Sequence, residues 1–565
     1  MIREWDVVVL EQLEESLSGR LTTVTDVQQR IVEIGRLPSW SDTAAEAARR
    51  SFQLTSDRLT DEAATIGAVR ECAHESAAAL RHVKAELSEL TNFASTNGFD
   101  VADSGHVTDV TDHPRHPAEE AAERETARAE LEAGVRALLR QAADIDADAA
   151  AILARAAAGE IDAGNAKTTG EANARGAEQG ELTAPMPPRD ASHTENREYW
   201  EALPEAQRAE ILAERPEWVG NRDGIPAGVR HEANANRIDD ERSRLEAERD
   251  RLRAELDANL FGGTFSNKDA ELWYTEQKLK DLDTLEQIVE KNPDGKLMLL
   301  DMTSGERSMA AFALGDPDTA DHIAVTTPGI NTTIESLEGM TSEGKALKTE
   351  TEQQLHNAGR GNETVATVAW LGYEPPTTTG PGNFRVPFTD QAIGRGWLVD
   401  SWQSDRAAAG APKLASFYEG LDVASQTPDP HLTALGHSYG SYTQALALQD
   451  PSPGQPVDDA VFYGSPGINA NDESDLGLKD GHGFVMRTPD DPISYVDGFG
   501  KLGPDPVQTD LEQLSTREAT TKDGVLREDS NGHSEYPRSS ANGELRTSGY
   551  NMAVIIAGLP DLAVR

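Results

Sequence analysis

Cysteine is nearly absent from these 565 residues; Cys72 stands alone. One thiol cannot close an intramolecular disulfide, and no zinc site built on cysteines is possible. Cys72 lies in an alanine-rich helical stretch, which reads as a buried or incidental thiol. Aromatic residues make up only 5% of the chain and hydrophobic residues 37%. Part of the chain is therefore expected as solvated helix or unstructured linker. Positive charge is short as well: 52 Lys and Arg face 98 Asp and Glu, a formal net charge of −46. So acidic a surface repels nucleic acid and anionic headgroups, which removes nucleic-acid binding from the expected functions. Long apolar runs are missing. No window approaches the ~20 residues of a membrane span. The first residues, Met1-Ile2-Arg3-Glu4-Trp5-Asp6, carry acids where a secretory leader has an apolar core. The expectation is a soluble protein without a signal peptide, cytoplasmic or exported by a route that reads a folded helical signal.

The length exceeds what one core supports, so two or three domains are expected. Apolar residues recur at three- and four-residue steps in the first hundred positions: Leu10, Leu13, Leu17 and Leu21, then Val24, Val27 and Ile31. A break falls at Leu37-Pro38-Ser39-Trp40-Ser41-Asp42, and helix resumes from Ala44 to Leu90. Residues 99–117 are polar and broken by Gly105, Pro114 and Pro117, as in a linker. Their His106, Asp109, Asp112, His113 and His116 are read as solvated rather than as metal ligands. Residues 118–158, rich in Ala, Glu and Arg, favour helix. Residues 159–195 are Gly, Ala, Thr, Asn and Pro, the composition of a disordered connector. Order returns at Tyr199-Trp200. A charged helix opens at Arg230, with Asp240–Arg244 and Glu246–Arg249 at pairing distance, and another helix covers about Lys268 to Lys291.

From Lys296 the period changes. A β-hairpin is expected over 297–314, then strands at 321–327, 364–370, 432–436, 460–463 and 483–487, alternating with helices. That alternation predicts a doubly wound, mostly parallel α/β sheet. Four regions result: a helical hairpin or bundle (1–98), a helix flanked by polar, partly disordered linkers (99–195), a helical region (196–292) and a catalytic α/β domain (293–565).

The most informative stretch is Leu435-Gly436-His437-Ser438-Tyr439-Gly440-Ser441. A short apolar strand stops at a glycine, a serine follows two residues later, and a second glycine precedes a helix. This is the G-x-S-x-G turn that lifts a nucleophilic serine clear of its sheet. The N–H of Tyr439 then faces a developing oxyanion near the helix N-terminus. In such sheets, sites form beyond the C-terminal strand ends. Asp490 and Asp491 follow a later strand, and His533 follows them. Neutral His533 would take the Ser438 proton, and the carboxylate would fix its tautomer. Asp491 is preferred over Asp490 because its Asp-Pro-Ile turn resembles the acid loop of many hydrolases. His437 sits inside the elbow and is turned away from Ser438. His482 lies before its strand, at the wrong end. A second oxyanion donor is expected after the early strand, in Pro328-Gly329-Ile330-Asn331, with the Ile330 N–H first and Asn331 second. Trp370, Tyr373, Trp397 and Trp402 are read as an acyl or aromatic pocket or as core.

TTPGINTT, VAWLGYEPP, GHSYGS, FYGSPGI and GHSEY, in that chain order, resemble the motifs of actinobacterial α/β-hydrolases that carry a long helical N-terminal extension. The segment from Tyr199 to Asn234 resembles the region that precedes their hydrolase domain. This resemblance implies a Ser438–Asp491–His533 hydrolase with no metal and no organic cofactor. More loosely, the two helices around Trp40 resemble the helical-hairpin proteins of type VII secretion, although Asp42 replaces the glycine of their Trp-x-Gly turn. The expected activity is carboxylic ester hydrolysis through an acyl-enzyme, on a small-molecule or lipid ester. The rivals are a peptidase or acyltransferase with the same three residues, or a non-enzymatic or secreted protein whose N-terminal helices bind a protein partner.

Overall fold

The computed structural model describes residues 5–36, 43–102, 104–111, 118–258, 268–377, 400–450, 455–479, 481–495 and 502–565. It divides into two compact units, Met1–Ile211 and Leu212–Arg565.

The first unit is helical. Helices α1 (Val7–Gly35) and α2 (Thr43–Thr96) pack side by side, and the turn around Trp40 and Asp42 lies outside the described residues. A short antiparallel ribbon, β1 (Phe99–Val101) with β2 (Val107–Asp109), follows, then α3 (Ala118–Ala158), α4 (Thr169–Glu178), α5 (His193–Ala202) and α6 (Glu205–Glu214). Two expectations are corrected here. Within the expected linker 99–117, residues 99–101 and 107–109 form the ribbon, while 103 and 112–117 lie outside the described residues: Phe99 and Val107 are buried, and Asp109 takes two bonds from Arg124, at 2.7 and 2.8 Å. Residues 159–195 are ordered. Their glycines and alanines, which weaken local propensity, let α4 approach α2 closely. A Cβ on Gly176 would fall 1.9 Å from the Ala64 carbonyl oxygen. Cys72 is buried among α2 and α3 residues.

The second unit begins before the predicted boundary at 293. Helix α7 (Ala227–Asn236) and the turn preceding it are tied to the sheet edge. Asn221 both donates to the Leu300 carbonyl and accepts its N–H, each at 2.8 Å. Buried Asn234 bonds the carbonyls of Gly220 and Leu297. Helices α8 (Ile238–Asp257) and α9 (Lys268–Lys291) form a hairpin whose apolar side covers the outer strands. The expected pairs within α8 are not made. Arg244 bonds Glu241 and Arg249 bonds Asp250, while Arg242 reaches across to Asp283 and Glu286 of α9.

Strands β3 (Lys296–Asp301), β4 (Met309–Leu314), β5 (His322–Thr327), β6 (Val365–Leu371), β7 (His431–His437), β8 (Asp459–Tyr463), β9 (Gly483–Met486) and β10 (Glu512–Gln513) form one sheet in the order β10-β9-β8-β7-β5-β6-β4-β3. From β6 through β10 all pairings are parallel, while β4 runs antiparallel to β3 and β6. Helices α10 (Ile334–Asn357), α11 (Asp400–Ala424) and α12 (Tyr439–Leu448) connect the strands. A ribbon of β11 (Ala519–Thr520) and β12 (Leu526–Arg527) precedes α13 (Thr547–Ile556). Helices α11 and α12 cover one face, α10 and α13 the other, so β4, β6, β8 and β9 are buried along their whole lengths. This is an α/β-hydrolase-type sheet, preceded in the sequence by a region that is helical apart from one short ribbon. After β5 the chain turns toward β6, and after β7 toward β8. The diverging connections open a crevice beyond the ends of β5 and β7, where sheets of this kind place their ligands.

Candidate active site

Ser438 stands at the end of β7 with φ 54° and ψ −127°. A non-glycine residue holds such angles only under constraint. The Ser438 N–H donates to the Tyr463 carbonyl on β8 at 3.0 Å, and its own carbonyl accepts the Ser441 N–H at 3.0 Å. Gly440 lets α12 leave the turn: a Cβ there would meet the Thr327 carbonyl oxygen at 2.3 Å. Ser438 is buried.

His533 arrives from the other side, on the turn before α13. Its Nε2 is 2.9 Å from Ser438 Oγ, and its Nδ1 is 2.9 and 3.0 Å from the two oxygens of Asp491. Asp491 follows β9. It is fully buried, whereas Asp490 is exposed. Burial alone would raise the Asp491 carboxyl; bonds from His533, Tyr536 and the Ile493 N–H outweigh it and hold the group below the usual range. With Nδ1–H directed at that carboxylate, the Nε2 lone pair faces Oγ and can accept its proton.

The loop after β5 presses on the serine. A Cβ on Gly329 would fall 2.6 Å from Ser438 Cβ. Asn331, at φ 64°, donates its N–H to the Pro376 carbonyl, and the Thr332 hydroxyl donates to the Gly329 carbonyl. The Asn331 amide is thereby committed, which leaves Ile330 as the donor candidate of this loop. Tyr439 is the first residue of α12, so its N–H has no acceptor within the helix. Its hydroxyl accepts the Ala407 N–H at 3.0 Å.

Some participants escaped the sequence reading. The buried Tyr536 hydroxyl donates to Asp491 Oδ2 at 2.7 Å and accepts the Thr488 N–H at 3.0 Å. Its spacing, three residues after His533, was the available signal. Gly464, at the end of β8, lies against both Asp491 and His533. His437 packs against His533, ring to ring at 4.8 Å. His482 lies beside Asp459, at the entry of β9. Trp370 and Tyr373 are core, stacked on each other at 5.9 Å. Trp397 and the side chain of Trp402 lie outside the described residues. Among the described residues no His, Cys, Asp and Glu cluster suits a metal ion, and no helix is long and apolar enough to cross a membrane.

The profile described as "Alpha/beta hydrolase" matches residues 304–501. An uncharacterized protein of Mycobacterium tuberculosis is 36% identical over 240 residues, 42% of this chain and 82% of the relative. A second M. tuberculosis protein, also uncharacterized, is 28% identical over 324 residues, 56% of this chain and 46% of that protein. A dienelactone hydrolase-like promiscuous phosphotriesterase, P91, from metagenomic libraries overlays on 48% of this chain and 98% of its own, at 14% identity and a TM-score of 0.25.

Proposed function

The chain belongs to the α/β-hydrolase family, and from that premise we propose that it is a serine hydrolase acting on carboxylic esters, with Ser438 as nucleophile, His533 as general base and acid, and Asp491 as the orienting carboxylate. The observation that carries this reading is the continuous line Asp491–His533–Ser438, with both imidazole nitrogens engaged at 2.9 Å.

The steps follow from that line. His533 Nε2 takes the Oγ proton as Oγ bonds the ester carbonyl carbon. The oxyanion so formed meets the N–H groups of Tyr439 and Ile330. The C–O bond to the alcohol breaks, and the alcohol leaves with the proton from Nε2. Water repeats the sequence on the acyl-enzyme, releasing the acid and restoring Ser438.

A fluorophosphonate probe tests the assignment on the full chain. The expected product is a phosphonylated peptide containing Ser438, absent from the Ser438→Ala variant. A panel of esters, amides and alcohol acceptors then separates esterase from peptidase and acyltransferase. No labelling of folded wild-type protein would overturn the reading.

A further inference from the structure

His533 is carried on an irregular turn, Asn531-Gly532-His533-Ser534, with Gly532 at φ 65° and Asn531 and Ser534 exposed. A surface turn of this kind is ordinarily mobile. A general base must nonetheless stay within a few tenths of an ångström of its serine. Something has to hold the backbone of this turn in addition to the imidazole.

Two side chains do so, buried Thr488 and half-buried His437, each from the end of a different strand. The Thr488 hydroxyl, after β9, donates to the Gly532 carbonyl at 2.7 Å. His437 Nε2, at the end of β7, lies 2.8 Å from the His533 carbonyl oxygen. A carbonyl only accepts, so Nε2 carries the hydrogen and donates. The His437 ring is packed between neighbours: stacked on Tyr463 at 5.0 Å, 4.8 Å from the His533 ring and 6.3 Å from Tyr536. Burial, and next the proximity of His533, push its pKa down to about 4, so it is a neutral donor at working pH and adds no charge beside the base.

Resting on the serine-hydrolase reading, we propose that His437 and Thr488 are positioning residues, which clamp the His533 turn by its two successive carbonyl oxygens and so hold the imidazole in line between Asp491 and Ser438. Neither touches substrate. The histidine inside the elbow thus acquires a function that its turn alone does not reveal: it couples the nucleophile's strand to the loop of the base.

The test uses the full chain, a fluorophosphonate probe and four variants: His437→Phe keeps a ring and loses the donor; His437→Asn keeps a donor; Thr488→Val is isosteric without the hydroxyl; Thr488→Ser restores it. The second-order labelling rate at Ser438 is followed against pH, with far-UV circular dichroism and Tm in parallel. His437→Phe and Thr488→Val are expected to slow labelling about tenfold to a hundredfold in folded protein. Thr488→Ser should stay within about threefold. Rescue by Thr488→Ser supplies the readout that mere loss of packing would not give, because the hydroxyl returns while the side-chain volume falls. If His437→Phe does not fold, the two Thr488 variants decide. Wild-type labelling with unchanged rates in His437→Phe and Thr488→Val overturns the clamp and leaves the hydrolase reading standing. Wild-type protein as inert as Ser438→Ala overturns both.

Discussion

Replacing Asp491 by Asn removes the charge at the proposed site with almost no change of shape. His533 Nδ1 lies against both carboxylate oxygens, 2.9 Å from Oδ1 and 3.0 Å from Oδ2. Oδ1 also accepts from the Ile493 N–H at 2.9 Å, and Oδ2 from the Tyr536 hydroxyl at 2.7 Å. An asparagine with its oxygen in the Oδ1 position keeps the Ile493 bond and the Nδ1–H tautomer. Its amide nitrogen then faces the Tyr536 oxygen, whose other donor is the Thr488 N–H. The tautomer survives and the charge does not. A carboxylate about 4 Å from an imidazolium, at an effective dielectric of about 20, contributes about 4 kcal/mol, which is about a thousandfold in rate. With the amide reversed, donor would oppose donor at both Ile493 and His533, and the loss would approach the ~10⁴ of a wrong tautomer. Steady-state hydrolysis of a p-nitrophenyl ester reads the difference. The expected result for Asp491→Asn is kcat down by about a thousandfold, KM within about threefold and an unchanged far-UV spectrum. Asp490→Asn, at an exposed position, should stay within about twofold. A loss below tenfold for Asp491→Asn, or an equal loss for Asp490→Asn, would refute the reasoning.

Three other perturbations have defined outcomes. Gly329→Ala puts a methyl 2.6 Å from Ser438 Cβ; displacing the serine or the oxyanion loop should cut kcat at least about a hundredfold, and wild-type turnover would count against that loop's role. In the helical unit, burial and then Glu201 push Glu198 up to about 7 from 4.5, with its side chain 12% exposed. The folded state therefore holds a proton that the unfolded chain releases, so stability falls as pH rises from about 4.5 to about 7, by an amount on the order of 3 kcal/mol. Glu198→Gln should flatten that decline, measured as hydrogen-exchange protection of α5 at pH 5 and pH 8; an unchanged decline would mean the carboxyl is solvated. Finally, a chain begun at residue 293 loses the Asn221 and Asn234 bonds to β3 and should aggregate. A chain begun at residue 212 should be soluble and retain ester hydrolysis, and equal yields of the two would disprove the dependence.

The fold of the α/β half and its candidate residues were legible because their signals are local and chemical. A glycine-bounded serine after a strand, an acid after a later strand and a histidine after that fix an order, and the order needs no tertiary information. Asp491 over Asp490 was a preference from the Asp-Pro turn; burial of one and exposure of the other is a fact of packing that sequence does not carry. The same limit hid Thr488 and Tyr536, whose partners lie 44 and 45 positions away. The helical half misled for a different reason. Propensity reads Gly and Ala in 159–195 as freedom, yet small residues are what two closely packed helices require, as where Gly176 meets Ala64. The expected charge pairs on α8 failed because Arg244 and Arg249 took other carboxylates of the same helix, Glu241 and Asp250, while Arg242 reached carboxylates on α9, which spacing within one helix cannot anticipate.

Rigidity at this site has no covalent source, since one thiol gives no crosslink. Holding Ser438 at φ 54° and ψ −127° costs ~1–3 kcal/mol, and such strain lasts only where the surroundings over-determine it. Here the constraint is backbone on every side. β8 takes the Ser438 N–H, α12 takes its carbonyl, the end of β5 lies where a side chain on Gly440 would go, and Gly329 lies against the Ser438 side chain itself. Backbone contacts tolerate no added methyl, so the weak points of this site are additions at glycine rather than truncations of large residues. The strain also has a use. It lifts Oγ clear of β7 toward the proposed donors at Tyr439 and Ile330, so a substitution that relaxed the turn would gain stability and lose rate together.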